Sequence, residues 1–575
     1  MDAATGDDSF ETAVRFHQSG RVDEAEGLYR RALDAQPDHP RAHQLLGVLC
    51  FQTGRFREAV DLLERAVALD PQSAAAHCNL GMVLTMLSRN SQAIRELRTA
   101  LAIHPNFPEA YANLATALRG VGEIEAAIDC VQRALTLRPD PKTASHYLML
   151  LHLHPSCDAR QLFHFHTAWR KTYADPLKYL IKPHTNDSTL TRRLRVGYVA
   201  QELSASPVVW FLLPLLQAHN HCEFEIFCYS DSIRLDATAE HVHGLCDQHR
   251  LTVHYTDQQM ADLVRQDQID ILVDLAMHSN LNRLLVFAQK PAPVQVSYLA
   301  YGGTTGLDTI DYRFTDSYFD APGQGPSTDS TSSPPAGSVC DELSRVGQGE
   351  SVYSEKSVRL QSFWCYWAPP EAPPVAPLPA ASANCLTFGC LNSYSKVTRP
   401  TLDLWAEILQ QVKDSRLMLH CPDPEAHART TRHLGERGID AARLIFVPPL
   451  ALADYYRQYN QIDIALDPFP WPGGTTTCDT LWMGVPVITL AGQTAVSRGG
   501  SSILSNVGLP ELIARAPPDY VRLAVELAAD TARLAELRAT LRPRMLASPL
   551  MDAPRFAAEV ESAYRSMWHT WCRTR

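Results

Sequence analysis

The chain has 575 residues, a length that corresponds to roughly three or four domains. It carries 52 Lys and Arg residues against 63 Asp and Glu residues, which gives a formal net charge of −11. This acidic balance argues against broad nucleic-acid binding, which relies on clustered cations that neutralise phosphates. A hydrophobic fraction of 45% and a charged fraction of 20% are ordinary for a globular protein and argue against wholesale disorder.

The sequence also argues against a membrane or secreted setting. The longest strongly apolar run, residues 208–216, is interrupted by Pro214 and is too short to cross a membrane. The acidic amino terminus lacks the apolar core of a secretory signal. Fourteen cysteines occur without a Cys-x-x-Cys pair, so we expect neither a disulfide framework nor a structural zinc site. A reducing cytoplasm is the simplest setting.

The first quarter of the chain repeats with a period of 34 residues. Several columns keep this spacing: Pro37, Pro71, Pro105 and Pro139; Gly20, Gly54 and Gly122, with Ser88 in the missing place; Ala25, Ala59, Ala93 and Ala127; Ala32, Ala66, Ala100 and Ala134; and Leu46, Leu80 and Leu114. A 34-residue period with small residues at fixed helix contacts indicates tetratricopeptide repeats.

Each repeat is expected to be a pair of antiparallel helices. Glycine suits the turn between them because it adopts positive φ readily, and proline ends the second helix. Such pairs stack into a solenoid whose concave face binds a protein or peptide. About three complete units and a partial first one fit within residues 1–140. Residues 141–191 lose the period and are predicted to form a helical linker, with helices at 146–154 and 159–173.

Residues 192–321 predict a first α/β lobe. Strand candidates alternate with helical stretches, including a buried helix at 208–218, which indicates a mostly parallel sheet. The candidates are residues 194–200, 224–229, 251–255, 269–275 and 294–299. Residues 322–351 are rich in Ser, Pro, Gly and Thr and are predicted to be a disordered insertion. We assign residues 352–384 to a connector.

Residues 385–575 predict a second doubly wound lobe that ends in a helical carboxyl-terminal segment. Its strand candidates are residues 386–391, 415–420, 444–447, 462–466 and 486–490. Its helix candidates are residues 400–413, 424–437, 451–459, 477–483 and 520–542. The predicted fold is therefore an α-solenoid followed by two Rossmann-like lobes, with ligands at the carboxyl ends of the strands.

The segment from 462 to 486 is the strongest candidate for a ligand site. A strand ends at Asp467, a Pro/Gly turn follows, and a run of three threonines opens a helix. Gly473 and Gly474 allow close backbone approach, while Thr475 and Thr476 add hydroxyl donors to the free amides of the helix start. This arrangement suits a diphosphate. Ordinary N-capping by threonine is the alternative.

Two further acidic and basic residues fit a nucleotide site. Asp479, one turn into the helix, could accept hydrogen bonds from ribose hydroxyls. Lys396 follows another strand, and a lysine there can neutralise a diphosphate leaving group. The alternatives are a solvated acid and a surface lysine. The sequence has no Asp-x-Asp pair placed to hold a metal at a strand end, so we expect protein donors to carry the phosphate charge.

Several segments in family order carry a resemblance. Tetratricopeptide repeats are followed by RLRVGYV, ILVDLAMHSNLNRL, KPAPVQVSYLAYGGTTG, FGCLNSYSK and GGTTTCDTLWMGVPVITLAG. This order resembles the bacterial relatives of protein O-GlcNAc transferase and SPINDLY. The resemblance implies a GT-B fold and transfer of a sugar from a nucleotide donor to Ser or Thr hydroxyls of proteins. It also implies inversion at the sugar and no metal or other cofactor.

The resemblance assigns roles to individual residues. Lys396 matches the lysine that contacts the donor diphosphate, Thr475 and Thr476 match the phosphate-binding threonines, and Asp479 matches the acid that contacts the ribose. Four further donor-site positions follow from the resemblance: Tyr455, where a ring packs on the donor base; Asn392 and Ser393, in the loop before the lysine; and, as a looser match, Arg498, near the donor. Animal enzymes have Gln at the position of Ser393.

The acceptor side departs from the family pattern. The family has His-Pro after its first lobe strand, whereas this chain has Ser206 before Pro207. Serine cannot supply an imidazole base, and losing a positioned acid–base group typically lowers a rate by about 10²–10⁴. Met277 replaces the glycine beside His278, and Gly303 stands where proline or asparagine is usual. His278 is either a site residue or a structural histidine.

Three functional hypotheses follow from these residues. We favour a protein O-GlcNAc transferase that uses UDP-GlcNAc. A GDP-fucose-dependent protein O-fucosyltransferase is the rival, because GTTTC and the carboxyl-terminal segment look closer to SPINDLY, whose plant members transfer fucose. The third hypothesis is a catalytically weakened scaffold that binds protein and nucleotide, and Ser206 is its main support. The sequence does not identify the acceptor proteins.

Overall fold

The computed structural model describes residues 3–232, 236–320, 352–383 and 385–574. The chain divides into two compact units, Met1–Leu150 with Cys421–Arg432, and Leu151–His420 with His433–Arg575. The predicted disordered insertion lies outside the described residues. Within those residues no helix combines the length and the apolar character that crossing a membrane requires.

The first unit is built from helices that pack in consecutive pairs. The helices are α1 Ala3–Gln18, α2 Val22–Ala35, α3 Pro40–Gln52, α4 Phe56–Leu69, α5 Ala74–Met86, α6 Asn90–Ile103, α7 Pro108–Gly120 and α8 Ile124–Leu137, followed by α9 Pro141–Leu153. The tetratricopeptide prediction is confirmed. The partial first unit of the sequence prediction is here a helix pair, α1 with α2.

Small residues set the spacing between paired helices. The alanine columns at positions 25, 59, 93 and 127 are fully buried. The turns take positive φ, at 76° in Gly20, 78° in Gly54 and 78° in Gly122. Ser88 occupies the equivalent turn at φ 58°, in the left-handed region that favours glycine. The 34-residue period therefore reflects both the packing of the paired helices and the conformation of the turns between them.

The first unit also includes a segment that the sequence assigns to the second lobe. Asp423 is buried and accepts hydrogen bonds from the backbone N–H of Ser91, at 2.7 Å, and from Ser91 Oγ, at 2.6 Å. These two bonds fasten residues 421–432 to the start of α6. The unit thus departs from the predicted boundary at residue 140, because it continues to Leu150 and takes in this later segment.

The second unit begins its first sheet at residue 194. Its strands are β1 Leu194–Ala200, β2 Phe224–Ser230, β3 Gln248–Leu251, β4 Ile271–Asp274, β5 Val294–Ser297, β6 Tyr312–Asp316 and β7 Lys356–Leu360. Its helices are α10 Ala159–Trp169, α11 Val209–Ala218, α12 Ala237–Leu245, α13 Asp257–Gln266 and α14 Leu284–Phe287. Among the described residues the strand order is β3-β2-β1-β4-β5-β6-β7, with parallel neighbours.

Two predictions for this sheet are wrong. The third strand overlaps the predicted range 251–255 only at Leu251, because the first three residues of the edge strand β3 are polar and carry no apolar signal. The segment 352–384 is not only a connector, since β7 within it pairs with β6 and extends the sheet. The lobe therefore continues beyond residue 321.

The second sheet lies in the same unit. Its strands are β8 Leu386–Cys390, β9 Ser415–His420, β10 Leu444–Val447, β11 Ile464–Leu466, β12 Val487–Leu490 and β13 Ile513–Ala514. In the part of the chain described, their order is β10-β9-β8-β11-β12-β13. The helices in this part of the chain are α15 Ala380–Ala383, α16 Arg399–Gln411, α17 Pro424–Gly435, α18 Leu452–Gln458, α19 Thr475–Trp482, α20 Gly499–Asn506, α21 Pro517–Ala529, α22 Thr531–Leu546 and α23 Ala553–Arg573. Residues 424–432 of α17 belong to the first unit.

The carboxyl-terminal helices correct one prediction and link the two sheets. The single helix predicted at 520–542 is two helices, because the Asp530 carboxylate accepts from Arg533 N at 2.9 Å and caps α22. Helix α23 then returns to the first sheet, where Tyr564 Oη lies 3.2 Å from Tyr198 Oη in β1. The central strands are buried, as parallel strands covered on both faces should be.

Replacing Ser88 with glycine is expected to stabilise the first unit by about 0.5–1 kcal/mol, because glycine tolerates φ near 58° without the Cβ clash of serine. Slower hydrogen exchange at the amides of α5 and α6 measures this gain. Ser88→Ala keeps the Cβ and should bring no gain. Equal protection in both variants would show that the turn conformation is not the cause.

Candidate active site

A cavity of about 300 Å³ lies within the second unit, where loops from both sheets converge. Every lining residue follows a strand at its carboxyl end: Pro207, Val208 and Phe211 after β1; Leu299, Ala300, Tyr301 and Gly302 after β5; Phe319 after β6; Trp364 after β7; Asn392, Ser393 and Lys396 after β8; Trp471, Pro472, Gly473, Gly474, Thr475 and Thr476 after β11; and Val496 and Gly499 after β12. This is the ligand position expected of open α/β sheets.

A buried carboxylate shapes the turn on one wall. Asp467, directly after β11, accepts from Gly473 N at 3.2 Å and from Thr477 Oγ1 at 3.1 Å. Burial raises the pKa of Asp467 to about 6. A Cβ at Gly473 would collide with Thr477 Oγ1, so the turn requires glycine there. The first amides of α19 have no acceptor within the helix, and Thr475 and Thr476 line the cavity.

Lys396 lies on the same wall. It ends a 3₁₀ turn, Tyr394–Lys396, after β8, and its Nζ donates to the Pro472 carbonyl at 2.9 Å. The Nζ lies 5.5 Å from the centroid of the Trp471 ring. Burial lowers the pKa of Lys396 to about 8, against the opposing attraction of Asp467. The Lys396 ammonium group and the start of α19 therefore line the same cavity.

Asp479 does not line this cavity. Its buried Oδ1 accepts from the hydroxyl of Tyr456 at 2.7 Å and from the hydroxyl of Tyr366. Burial raises the pKa of Asp479 to about 6, and the two tyrosine hydroxyls oppose that rise. The neighbouring Tyr455 also lies outside the lining, and its hydroxyl bonds that of Tyr459 at 2.6 Å. In this structure the Asp479 carboxylate, which is predicted to contact a ribose, accepts hydrogen bonds from two tyrosine hydroxyls.

Arg498 and Ser206 lie beside the lining rather than within it. The Arg498 guanidinium donates to the Phe319 carbonyl, and so joins the loop after β12 to the loop after β6. Ser206 immediately precedes two lining residues. Its Oγ is buried and has no hydrogen-bond partner within the described part of the chain. No imidazole stands at this position to take a proton.

His278 belongs to the interior of the unit. Its Nε2 lies 2.8 Å from the Thr305 carbonyl, and its ring packs edge-on against His166 and Trp169, at centroid distances of 4.9 and 4.8 Å. Burial holds the pKa of His278 well below its usual value, so the ring is neutral. Of the two alternatives that the sequence leaves open, this packing favours a structural histidine.

Comparison with known proteins decides the family. The profile of glycosyl transferase family 41 matches residues 146–322 and 378–560, and a tetratricopeptide-repeat profile matches residues 16–80 and 84–151. The chain belongs to glycosyl transferase family 41. Its helical repeats followed by two parallel-sheet lobes agree with the GT-B architecture expected of the family.

Individual relatives of this family 41 member are known from plants and from a bacterium. It is 35% identical over 421 residues to a probable UDP-N-acetylglucosamine–peptide N-acetylglucosaminyltransferase SPINDLY of Hordeum vulgare, and 36% identical over 424 residues to that of Oryza sativa; each alignment covers 72% of this chain. The chain spans only 42 and 43% of those relatives' lengths. A mutant O-GlcNAc transferase of Thermobaculum terrenum superposes with a TM-score of 0.83 at 34% identity, covering 93% of this chain and 98% of that one.

The sequence did not predict the aromatic wall of the cavity in this family 41 protein. Phe211, Tyr301, Phe319, Trp364 and Trp471 all line it. The run FPWPGG, which includes the turn predicted to bind a diphosphate, could have indicated Trp471. Trp364 carried no local signal, because it lies in the predicted connector. Among the described residues, no group of three or more His, Cys, Asp or Glu side chains is placed to hold a metal ion.

Replacing Lys396 with methionine is expected to raise the melting temperature of the ligand-free protein at pH 7, because burial disfavours the ammonium group. The folded pKa, about 8, lies below the ordinary value of 10.5, so between these values the unfolded chain binds more protons. Wild-type stability therefore rises with pH in that window, and the gap between variant and wild type should narrow from pH 8 upward.

Thermal denaturation from pH 7 to pH 9.5 measures that gap. Lys413→Met is the matched control, because Lys413 is an exposed lysine of the same lobe and its loss should leave the melting temperature unchanged. A gap that is absent at pH 7, or that widens as the pH rises, would contradict the burial of the Lys396 ammonium.

Proposed function

We propose that the protein is an inverting, metal-independent glycosyltransferase that moves GlcNAc from UDP-GlcNAc to Ser or Thr hydroxyls of proteins held by the repeat domain. One observation carries the proposal: the Lys396 ammonium and the threonine-rich start of α19 line the same cavity. Cleavage of the sugar–phosphate bond leaves extra negative charge on the departing diphosphate, which these groups are suited to stabilise.

The charges of the cavity wall support this role. Lys396 is mostly protonated at pH 7, since its pKa is about 8. An anionic diphosphate close to Nζ would raise that pKa further and keep the ammonium charged during the reaction. The amides of α19 add the positive end of the helix dipole. Two fixed donors of this kind can take the place of a divalent metal ion.

Different observations support the proposed acceptor and the proposed donor. Tetratricopeptide repeats form protein-binding surfaces, which supports a protein acceptor. The names of the SPINDLY relatives support UDP-GlcNAc, and GDP-fucose remains the rival donor. We propose a cytoplasmic protein that needs no cofactor and acts on neither nucleic acid nor membranes, in keeping with its net charge of −11.

A scaffold with weakened catalysis is the second candidate, and Ser206 is the observation that favours it. Inverting transfer removes a proton from the attacking hydroxyl, and serine is not a base at neutral pH. Absence of a positioned base typically lowers the rate by about 10²–10⁴, so slow turnover is compatible with the proposed enzyme. Binding of the nucleotide sugar without any turnover would identify the scaffold.

Calorimetric titration with UDP-GlcNAc and with GDP-fucose, followed by transfer of each radiolabelled sugar to protein, tests the proposed reaction. We expect binding and transfer with UDP-GlcNAc.

Lys396→Ala should reduce transfer by roughly 10²-fold or more, because it removes a charge from the leaving-group site. Lys413→Ala is the matched control and should behave as wild type. Undiminished transfer by Lys396→Ala would show that the donor site lies elsewhere, and transfer from GDP-fucose alone would replace the proposed donor.

Ser206→His separates the enzyme from the scaffold. An imidazole beside Pro207 restores a base where the family has one, so the rate of transfer should increase while donor affinity stays within about twofold. The measurement is the turnover rate together with the donor dissociation constant. Donor binding with no turnover in either wild type or Ser206→His would contradict the enzyme and establish the scaffold.

A further inference from the structure

Two cysteine thiols meet away from the cavity, in the first lobe. Cys228 lies in β2 and is fully buried, whereas Cys246 caps the carboxyl end of α12 and is partly exposed. Their Sγ atoms are 2.6 Å apart. Non-bonded heavy atoms usually meet at about 3.5–4.0 Å, and the sulfurs of a disulfide lie about 2.05 Å apart. The pair is therefore far closer than ordinary packing brings two thiols.

The helix that connects two neighbouring strands brings the sulfurs together. Strands β2 and β3 are parallel neighbours, and α12 lies between them in the chain. Cys246 lies at the end of α12, two residues before β3, so its contact with Cys228 comes from the helix end and not from the strand register, which sets Cys228 opposite His249. The Cys246 Sγ also donates to the Val242 carbonyl at 3.2 Å, which orients it at the end of the helix.

We propose that Cys228 and Cys246 form a reversible disulfide when the protein meets a mild oxidant of the low-molecular-weight disulfide class. The Cys246 thiolate attacks one sulfur of the oxidant, forms a mixed disulfide and releases one small thiol. The Cys228 sulfur then attacks the Cys246 sulfur and releases the second small thiol. Both protons leave the protein with the departing thiols, and the oxidant is reduced by two electrons as the two cysteines are oxidised.

The order of attack follows from the surroundings of the two sulfurs. An oxidant can reach the partly exposed Cys246 but not the buried Cys228. The hydrogen bond with Cys246 and burial together raise the pKa of the Cys228 thiol well above its usual value, so this thiol is a poor first nucleophile. Once Cys246 carries the mixed disulfide, proximity allows Cys228 to resolve it.

The bond would fix α12 at its second end. At the first end, Asp236 accepts from Ala239 N at 2.8 Å and from Ala205 N at 3.1 Å. Ala205 belongs to the loop after β1 that continues into Pro207 on the cavity wall. A disulfide at Cys246 therefore restrains a helix whose opposite end contacts that loop, and amide exchange in α12 should slow on oxidation.

Incubation of the full-length protein with oxidised glutathione tests the proposal. Mass spectrometry of unreduced peptides should find a peptide pair joined through Cys228 and Cys246, and thiol titration after unfolding should fall by two per chain from the fourteen cysteines of the sequence. Dithiothreitol should reverse both changes. Glutathione adducts without the joined pair, or a different cysteine pair, would overturn the proposal.

Two serine variants sharpen the test. Cys246→Ser has one thiol fewer at the start, should lose none to an internal disulfide on oxidation, and should show no slowing of α12 exchange. Cys222→Ser is the matched control, because Cys222 is an exposed cysteine just before β2 and its loss should leave the joined pair intact. Persistence of the two-thiol loss in Cys246→Ser, or unchanged α12 exchange in oxidised wild type, would contradict the restraint.

Discussion

The buried carboxylate of Asp467 is the constraint on which the candidate site depends. It holds Gly473 N and Thr477 Oγ1 while Lys396 holds the carbonyl of the intervening Pro472, so the turn is fixed from both sides. Burial alone would neutralise both groups, raising the pKa of the acid and lowering that of the lysine. Their mutual attraction favours the charged forms, and the result is a fixed turn that leads into the start of α19, with one ammonium group on the same cavity wall.

The two parallel sheets explain why such distant segments converge. Loops at the carboxyl ends of parallel strands share one edge of a sheet, and each lobe contributes its edge to the cavity. The polar wall comes from β8 and β11, whereas much of the aromatic wall comes from β1, β5, β6 and β7. Under the proposed function, a diphosphate would contact the first wall, and the aromatic rings of the second would exclude water, which strengthens electrostatic interactions there.

Local signals in the sequence were enough for much of the architecture. The 34-residue period predicted the helix pairs, and apolar runs predicted the central strands such as β1 and β9. The Gly-Gly-Thr run predicted the turn that lines the cavity with Lys396. Contacts that depend on long-range packing could not be predicted from local patterns: Asp479 accepts from Tyr366, more than a hundred positions earlier, and Asp423 accepts from Ser91 of the repeats. The contact of Asp479 with a ribose stays a prediction. The polar edge strand β3 and the late strand β7 carried too little apolar pattern to be recognised.

A crystal structure of the protein bound to UDP tests the central claim most directly. The account predicts diphosphate oxygens about 3 Å from Lys396 Nζ and from the backbone N–H groups of Thr475 or Thr476, with Nζ drawn from the Pro472 carbonyl toward the phosphate. A nucleotide bound outside this cavity, or a diphosphate within it that touches neither the lysine nor the start of α19, would contradict the account.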